Sequence, residues 1–262
     1  MAYTFISGAT GGIGKAFSIE CAKQGNNLFL TGRSEEKLAE LKAELSLLNP
    51  NIKIEYFACD LTSEESRKSM LISIDALGIA LDKILLVAGV DTQKAFMEYT
   101  EEKILFQLRV NAESTTHLTY SLLKRRAEKC ELLAVSSMSG VSPMPYFALY
   151  SATKAMITSL YSSLHYELKK DGVKVTAVLP GGVPTRPDII EDIKGQGLWG
   201  KLSSVSPEKV AKKSLKALSK NKMIYIPGGF NKFLNFIMKL VPKKLKLKFI
   251  ANRWKNITKD AF

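Results

Sequence analysis

The sequence predicts an α/β fold, a doubly wound parallel sheet of about seven strands with helices on both faces. Short apolar runs alternate with longer stretches of helical periodicity along most of the chain. Most of these runs are continuously apolar, which is typical of strands covered on both faces of a parallel sheet. A glycine-rich segment follows the first run, at the point where a strand would turn into a helix. Together, these observations indicate repeated βα units.

The predicted elements alternate between strand and helix. Strands are expected at Tyr3–Ser7, Asn27–Thr31, Ile52–Phe57, Ile84–Val87, Leu132–Val135 and Val173–Val178. Helical patterns occupy Ile13–Gln24, Glu35–Leu47, Glu101–Lys129 and Ala148–Lys170. Pro184–Ser204 is rich in glycine and serine, and we expect a mobile loop with short helical pieces there. The order predicts a Rossmann-type domain over residues 1–229, with 184–204 as its substrate loop.

The composition suits a packed, soluble core: the 262 residues are 46% hydrophobic and 24% charged. No run reaches the ~18 apolar residues of a spanning helix, and the N-terminus lacks the basic region of a signal peptide. Cys21, Cys59 and Cys130 are widely spaced, which favours reduced structural thiols over a disulfide framework or a metal site. We therefore expect a cytoplasmic protein that holds no metal.

A glycine-rich turn at residues 7–14 joins the first strand to the first helix. Glycines let the backbone approach a phosphate, and the helix N-terminus adds free N–H groups and a partial positive charge. The spacing differs from the common G-x-G-x-x-G motif, so an ordinary turn is the alternative. The position in the chain favours a nucleotide. The predicted cofactor contacts in this turn are Gly8, Thr10, Gly12, Ile13 and Gly14.

The end of the second predicted strand indicates which nucleotide is bound. NAD-binding folds place a carboxylate there to bind the ribose 2′-hydroxyl, whereas a nearby arginine accommodates a 2′-phosphate. This chain has Gly32 at the acidic position, followed by Arg33. A guanidinium attracts a phosphate that a carboxylate would repel. The sequence favours NADP(H) over NAD(H); the alternative is that Arg33 is a solvated loop residue.

A Tyr-x-x-x-Lys pair on a helix suits carbonyl reduction, because tyrosine can donate the proton and a nearby ammonium lowers its pKa. Four pairs match this spacing: Tyr99/Lys103, Tyr120/Lys124, Tyr150/Lys154 and Tyr166/Lys170. Only Tyr150 has a strand-end serine, Ser137, thirteen positions earlier and a Pro-Gly turn after the following strand. We therefore predict Ser137, Tyr150 and Lys154 as the catalytic centre.

Together, these motifs resemble the short-chain dehydrogenase/reductase family, from Ala2 to about Tyr225. The resemblance implies further cofactor contacts at Asp60, Leu61, Ala88, Gly89, Pro180, Gly181, Val183 and Thr185. In the family, the aspartate contacts adenine and the Pro-Gly turn receives the nicotinamide carboxamide. The family's fatty-acyl and hydroxysteroid reductase branches often carry basic tails similar to the one found here.

The resemblance also implies a role for each catalytic residue. Tyr150 is the acid/base, and Ser137 orients the substrate oxygen. Lys154 lowers the pKa of the tyrosine and binds the nicotinamide ribose. Asn111 holds a water for proton relay.

One segment departs from the family pattern. The family has Asn-Asn-Ala-Gly after the fourth strand, whereas this chain has Leu86-Val87-Ala88-Gly89. Alanine and glycine still let a cofactor approach, but the hydrogen bonds that brace the central sheet are in doubt. The departure leaves a rival hypothesis open: a catalytically weak nucleotide-binding scaffold or redox sensor of the same fold.

A C-terminal extension, residues 230–262, carries a large part of the formal net charge of +13. Phe230, Phe233, Leu234, Ile237, Leu240 and Val241 fall at helical spacing before Pro242, and a second stretch contains Phe249, Ile250, Trp254 and Ile257. Such a basic amphipathic helix suits an anionic membrane surface, which would make the protein membrane-peripheral. The alternatives are packing on its own domain or on a second subunit.

The leading hypothesis is an NADP(H)-dependent oxidoreductase that interconverts a carbonyl and a secondary alcohol. Its substrate would be small or lipophilic: a ketone, an acyl group or a steroid-like molecule. The family implies a homodimer or homotetramer. No basic motif interleaved with aromatic residues is present, so we expect no nucleic-acid partner.

Overall fold

A computed structural model describes residues 1–255 and 259–260. The strands are β1 (Ala2–Ser7), β2 (Leu28–Gly32), β3 (Ile54–Ala58), β4 (Ala80–Leu86), β5 (Thr92–Gln93), β6 (Arg126–Val135), β7 (Val173–Val178), β8 (Ile224–Tyr225) and β9 (Lys259–Asp260). Seven of them form one parallel sheet in the order β3-β2-β1-β4-β6-β7-β8. The strand order reverses between β1 and β4, as in a doubly wound Rossmann fold. This confirms the predicted fold class.

Helices cover both faces of the sheet. They are α1 (Gly12–Lys23), α2 (Glu35–Leu48), α3 (Glu64–Ala76), α4 (Glu101–Leu108), α5 (Ser114–Leu123), α6 (Ala148–Glu167), α7 (Pro187–Gly195), α8 (Gly197–Ser203), α9 (Pro207–Ser219), α10 (Gly229–Leu240) and α11 (Lys243–Trp254). Phe17, Leu38 and Leu215 bring α1, α2 and α9 into the core on one face. Met70 and Tyr161 bring α3 and α6 into the core on the other. Because both faces are covered, the strands carry continuous apolar runs.

The structure corrects the sequence-based boundaries in several places. The predicted helix Glu101–Lys129 is wrong at its C-terminal end, because Arg126 pairs with Leu81 and continues β6. Helices α3 and α9 were not predicted: α3 begins with six polar residues, which obscure its apolar stripe, and α9 carries lysines between its buried positions. The substrate loop 184–204 is largely the two helices α7 and α8.

The C-terminal extension forms two helices, α10 and α11, joined at Val241–Pro242. Strand β9 pairs antiparallel with β5. Ile257, which was predicted to continue the second apolar stretch, lies outside the described residues. Across residues 1–255 and 259–260, no helix has the length and apolar character that spanning a bilayer requires.

The three cysteines are buried and unpaired, as predicted. Burial raises the pKa of the Cys21 and Cys130 thiols to about 12, and it also raises the pKa of Cys59. Thiols of this kind are poor nucleophiles, because the reactive form is the thiolate. All three therefore have a structural role.

A buried hydrogen bond joins α5 to α6 and allows a test of the packing between them. The Tyr161 hydroxyl lies 2.8 Å from Thr119 Oγ1, whose own proton goes to the Thr115 carbonyl. We expect Tyr161→Phe to lower the free energy of unfolding by about 1 kcal/mol, because one hydrogen bond is lost. Thr119→Val should cost more, about 1–3 kcal/mol, because it leaves the phenol hydroxyl buried without an acceptor. Urea unfolding of the double variant gives the coupling, and fully additive losses would contradict this account.

Candidate active site

A cavity of about 490 Å³ opens at the carboxyl ends of the central strands, where a doubly wound fold binds its ligands. Its volume lies within the range of small-molecule sites. Ser137, Tyr150 and Lys154 line it, together with residues of the turn after β7. The structure therefore brings the three predicted catalytic residues together at one cavity.

The end of β6 and the helix α6 fix the catalytic side chains. The Lys154 ammonium donates to the Val135 carbonyl at 2.9 Å, and its Nζ lies 5.6 Å from the centre of the Tyr150 ring. Ser136 Oγ donates to the Lys154 carbonyl at 2.7 Å. Ser137 lies close enough to the Tyr150 hydroxyl to lower its pKa. The strand end thus contacts both the lysine and the tyrosine.

The pKa of Tyr150 differs in direction from the sequence-based expectation. Burial is the largest cause and raises it, the negative charge of Asp91 adds to the rise, and the hydrogen bond from Ser137 and the charge of Arg186 oppose it. Burial lowers the pKa of Lys154 to about 8. The expected lowering of the tyrosine pKa by the lysine is therefore not found. At neutral pH the phenol keeps its proton, which suits a proton donor.

Asn111 lies in a single π-helical turn, Arg109–Glu113, between α4 and α5. Its amide clasps the backbone of Val90, accepting from the N–H and donating to the carbonyl, both at 2.8 Å, and it also donates to Thr153 Oγ1 at 3.2 Å. The side chain is thus engaged with protein groups. It holds the segment after β4 against α6, and its place in a proton relay stays a prediction.

The segment after β4 is braced without the family's asparagines. The Ser7 hydroxyl accepts from the N–H groups of Val87 and Ala88, at 3.0 and 3.2 Å. Asn111 fixes Val90, the residue that follows Gly89. The bracing that was in doubt, because Leu86 and Val87 replace the asparagines, is therefore supplied by Ser7 at the end of β1 and by Asn111 in the π-helical turn.

Close backbone contacts explain the glycines of the phosphate-binding turn. A Cβ at position 14 would lie 1.9 Å from the Gly8 carbonyl oxygen, and one at position 12 would lie 2.6 Å from Thr185. Gly8 has a φ of 64° and lies against Ala88. The N-cap of α1, Gly11, offers no side-chain cap, so the first N–H groups of the helix face the turn without one. Such a turn is compatible with a dinucleotide phosphate.

The adenosine end of the predicted site lies at β2 and β3. Arg33 is exposed directly after β2, beside the N-cap of α2. A Cβ at position 32 would approach Thr10 Oγ1 to 3.1 Å, which leaves little room for an acidic side chain there. Asp60 follows β3 and accepts from the backbone and the hydroxyl of Thr62, at 2.9 and 2.8 Å. Its neighbour Leu61 is buried.

The nicotinamide end lies at the turn after β7. The Pro180 carbonyl accepts from Met138 N–H at 2.9 Å, which ties this turn to the segment that carries Ser137. A Cβ on Gly181 would meet the Asn231 amide of α10 at 2.8 Å. Val183 is buried, and Thr185 lies over the glycine turn. A Cβ on Gly89 would lie 3.0 Å from Lys154 Nζ. Of the predicted cofactor residues, Ile13, Gly89, Pro180, Gly181, Val183 and Thr185 line the cavity together with Tyr150 and Lys154. The remaining ones lie in the glycine turn and after β2, β3 and β4, which is compatible with a dinucleotide.

Sequence reasoning missed two charged residues at this cavity. Arg186 Nη2 lies 3.3 Å from Asp91 Oδ1, so that an ion pair joins the segment after β4 to the segment after β7. Both charges act on the pKa of Tyr150. No motif marks them; the only sequence signal is that each follows a strand end at the carboxyl edge of the sheet.

The C-terminal helices also line the cavity. Residues of α10 and α11 on its wall include Leu234, Met238, Lys239, Lys246, Phe249, Ile250, Arg253 and Trp254. The Arg253 guanidinium lies 5.4 Å from the centre of the Trp199 ring, in α8. Packing of the extension on its own domain was one of the alternatives. In the structure, one face of α10 and α11 lines the cavity of that domain. Among the described residues, no cluster of side chains could hold a metal ion.

Comparison with known proteins places this geometry in a family. The model of the short-chain dehydrogenases matches residues 2–190. The chain is 33% identical over 226 residues to a very-long-chain 3-oxoacyl-CoA reductase of Bos taurus, covering 82% of this chain and 68% of that protein. It is 33% identical over 192 residues to a very-long-chain 3-oxoacyl-CoA reductase-like protein of Arabidopsis thaliana, covering 70% of this chain and 60% of that protein. This chain thus spans less than two thirds of the plant protein.

Solved structures show the same fold. A structure from a study of 7beta-hydroxysteroid dehydrogenase stereoselectivity superposes with a TM-score of 0.86 at 23% identity, over 95% of this chain and 96% of that one. L-sorbose reductase from Gluconobacter frateurii, complexed with NADPH and L-sorbose, gives 0.77 at 23% identity, over 87% and 95%. The first alignment extends the similarity in fold to nearly the whole chain.

The Asp91 carboxylate allows a test of the electrostatics around Tyr150. Its negative charge raises the pKa of both Tyr150 and Lys154, so removing it lowers both. For Asp91→Asn we expect the pH at which carbonyl reduction falls off to move down by about 0.5–1 unit. The control is Asp188→Asn, which removes the other carboxylate partner of Arg186. A profile that shifts equally in both variants, or in neither, would contradict the assignment.

Proposed function

Because the chain belongs to the short-chain dehydrogenase family, we propose that it is an NADP(H)-dependent oxidoreductase that interconverts a carbonyl and a secondary alcohol. One observation carries the proposal: Ser137, Tyr150 and Lys154 meet at a cavity that Ile13 of α1 and residues of the turn 180–185 also line. A protein that only bound a nucleotide would not need all three groups. The bracing of Val87 and Ala88 by Ser7 also removes the main argument for a weak scaffold or sensor.

The residues divide the reaction among them. The cofactor supplies or accepts the hydride. Tyr150 donates its proton to the oxygen that becomes the alcohol, and Ser137, which lines the same cavity, orients that oxygen. The Lys154 ammonium, held at the Val135 carbonyl, stabilises the phenolate that remains. Since the pKa of Tyr150 is raised, the phenol is protonated at neutral pH, which is the form that can donate a proton during carbonyl reduction.

The proposed preference for NADP(H) is based on the residues at the end of β2. Arg33 is exposed beside the adenosine end of the cleft, and an acidic side chain at position 32 would crowd Thr10. A 2′-phosphate would therefore meet a guanidinium rather than a carboxylate. NADPH is present in the structure of L-sorbose reductase, a protein of the same fold.

The proposal of a lipophilic substrate is based on the residues of the cavity wall. Its apolar members include Ile193, Trp199, Leu234, Met238, Phe249 and Ile250. Lys239, Lys246 and Arg253 add positive charge to the same wall. Apolar walls bind an acyl chain, and the basic groups suit a carrier phosphate at its end. A 3-oxoacyl thioester fits this combination, as in the names of the Bos taurus and Arabidopsis relatives; a steroid ketone is the second candidate.

The remaining assignments are proposals of the same kind. We take residues 1–229 as the catalytic domain and 230–262 as its extension. A homodimer or homotetramer agrees with the family. A cytoplasmic location, with the extension as the only contact to a membrane, agrees with the lack of a spanning helix among the described residues.

Arg33 gives a test of cofactor preference. We expect Arg33→Ala to weaken NADPH binding by about 10- to 100-fold, because a charge-assisted hydrogen bond is lost, and to leave NADH binding nearly unchanged. Fluorescence titration with each cofactor measures this. Lys37→Ala, which removes an exposed charge from α2, is the matched control. Equal losses for NADPH and NADH would show that Arg33 does not contact the 2′-phosphate.

Tyr150 gives a test of the reaction itself. We expect Tyr150→Phe to lower kcat for a long-chain 3-oxoacyl thioester by about 10²- to 10⁴-fold, with NADPH binding retained, because the proton donor is lost. Tyr120→Phe is the control, since Tyr120 and Lys124 have the same spacing but Tyr120 is exposed on α5. NADPH oxidation followed at 340 nm measures the rate, and full activity in Tyr150→Phe would refute the assignment.

A further inference from the structure

Helices α10 and α11 leave large apolar side chains in solvent. Phe233, Phe236, Leu240, Leu245 and Phe249 are between 55 and 67% exposed. On α10, the first three follow at spacings of three and four, so they share one helix face. Leu245 and Phe249 do the same on α11. We call these five side chains the C-terminal apolar face. Large apolar side chains exposed together, three of them aromatic, mark a surface that contacts a membrane or another molecule.

The charge around this face indicates what it contacts. Residues 230–255 contain no aspartate or glutamate. Their basic residues are Lys232, Lys239, Lys243, Lys244, Lys246, Lys248, Arg253 and Lys255. A helix pair with exposed phenylalanines and leucines among lysines, and without acidic groups, complements an anionic lipid surface.

A second copy of the chain fits this surface poorly. A two-fold interface brings the same patch of both subunits together. The lysines of one copy would then lie close to those of the other, and there is no acidic side chain on either helix to neutralise them. An anionic bilayer satisfies the charges and the apolar groups at once.

The cavity borders this face at Phe249. Phe249 belongs both to the apolar face and to the cavity wall, and the wall also includes Lys239 and Lys246, next to Leu240 and Leu245. Leu234, Met238 and Ile250 point to the cavity from the same two helices. Residues of both α10 and α11 thus line the cavity that holds Tyr150, and one of them, Phe249, is also exposed.

We propose that the C-terminal apolar face docks on an anionic membrane surface, and that the catalytic cavity opens towards the lipid there. The docking stands on the exposed side chains and the charge alone. The further statement, that a lipophilic substrate enters from the bilayer, rests on the proposed function.

The test is co-sedimentation of the full chain with vesicles. One set is phosphatidylcholine, and the other contains phosphatidylglycerol as well. We expect binding to the anionic vesicles at low salt, at least about tenfold weaker binding to the neutral ones, and release at high salt. Because sedimentation needs no turnover, its result is independent of whether the proposed reaction is correct.

Two variants and two matched controls locate the surface. Phe236→Asp/Leu240→Asp and Lys243→Glu/Lys244→Glu should each lower vesicle binding about tenfold or more. Leu47→Asp changes a side chain that is 87% exposed on α2, and Lys212→Glu/Lys213→Glu reverses two exposed lysines on α9; both should bind like the parent chain. Circular dichroism and NADPH binding verify that each variant is folded.

Three results would overturn the proposal. The parent chain could fail to sediment with anionic vesicles at low salt. All four variants could lose binding equally, which would indicate general charge attraction. The apolar double variant could dissociate a dimer while vesicle binding stays unchanged, which would assign the face to a second copy. Separately, Tyr150→Phe should bind vesicles like the parent chain, so that a failed reaction and a failed docking surface remain distinguishable.

Discussion

The active site depends on how the helix α6 is anchored to the end of β6. The Lys154 ammonium donates to the Val135 carbonyl, and the Ser136 hydroxyl donates to the Lys154 carbonyl. A Cβ on Gly140 would lie 2.7 Å from the Lys154 backbone, so the turn after β6 fits against the helix only with glycine there. These contacts set the distance between strand and helix, and thereby place Ser137 beside Tyr150. Any change that moves α6 away from β6 separates Tyr150 from the groups around it.

The same packing controls the chemistry by excluding water. Burial is the largest cause of both pKa shifts, upward for Tyr150 and downward for Lys154. Because Lys154 keeps a pKa of about 8, its ammonium is still largely charged at neutral pH, while the phenol holds its proton. Asp91 opposes the loss of the lysine charge, and its partner Arg186 partly offsets the effect of Asp91 on the tyrosine. The ion pair between two strand ends thus adjusts a balance that burial establishes.

Sequence patterns located the central sheet and most of the candidate site, because both are local. The strands are apolar runs, the glycine turn is a contiguous segment, and Tyr150 and Lys154 lie one helical turn apart. Helices α3 and α9 were missed because polar and basic residues dominate their sequences and interrupt the buried positions. Asp91, Arg186 and Arg253 were missed for a different reason: each reaches the cavity from a segment whose course depends on packing far along the chain. The roles of the site residues and the boundary at 229/230 stay predictions.

The sequence by itself determined the α/β class, the glycine turn, the serine–tyrosine–lysine set and the position of Arg33, since each follows from residue types at short spacing. The tertiary structure decided the direction of the Tyr150 pKa shift, because desolvation is a property of everything packed around the phenol. It also decided that the Ser7 hydroxyl binds the backbone of Val87 and Ala88, where the chain lacks the family's asparagines, and that Asn111 binds the backbone of Val90. Finally, it divided α10 and α11 into one face on the cavity and one in solvent, which helical periodicity cannot do when both faces carry apolar residues.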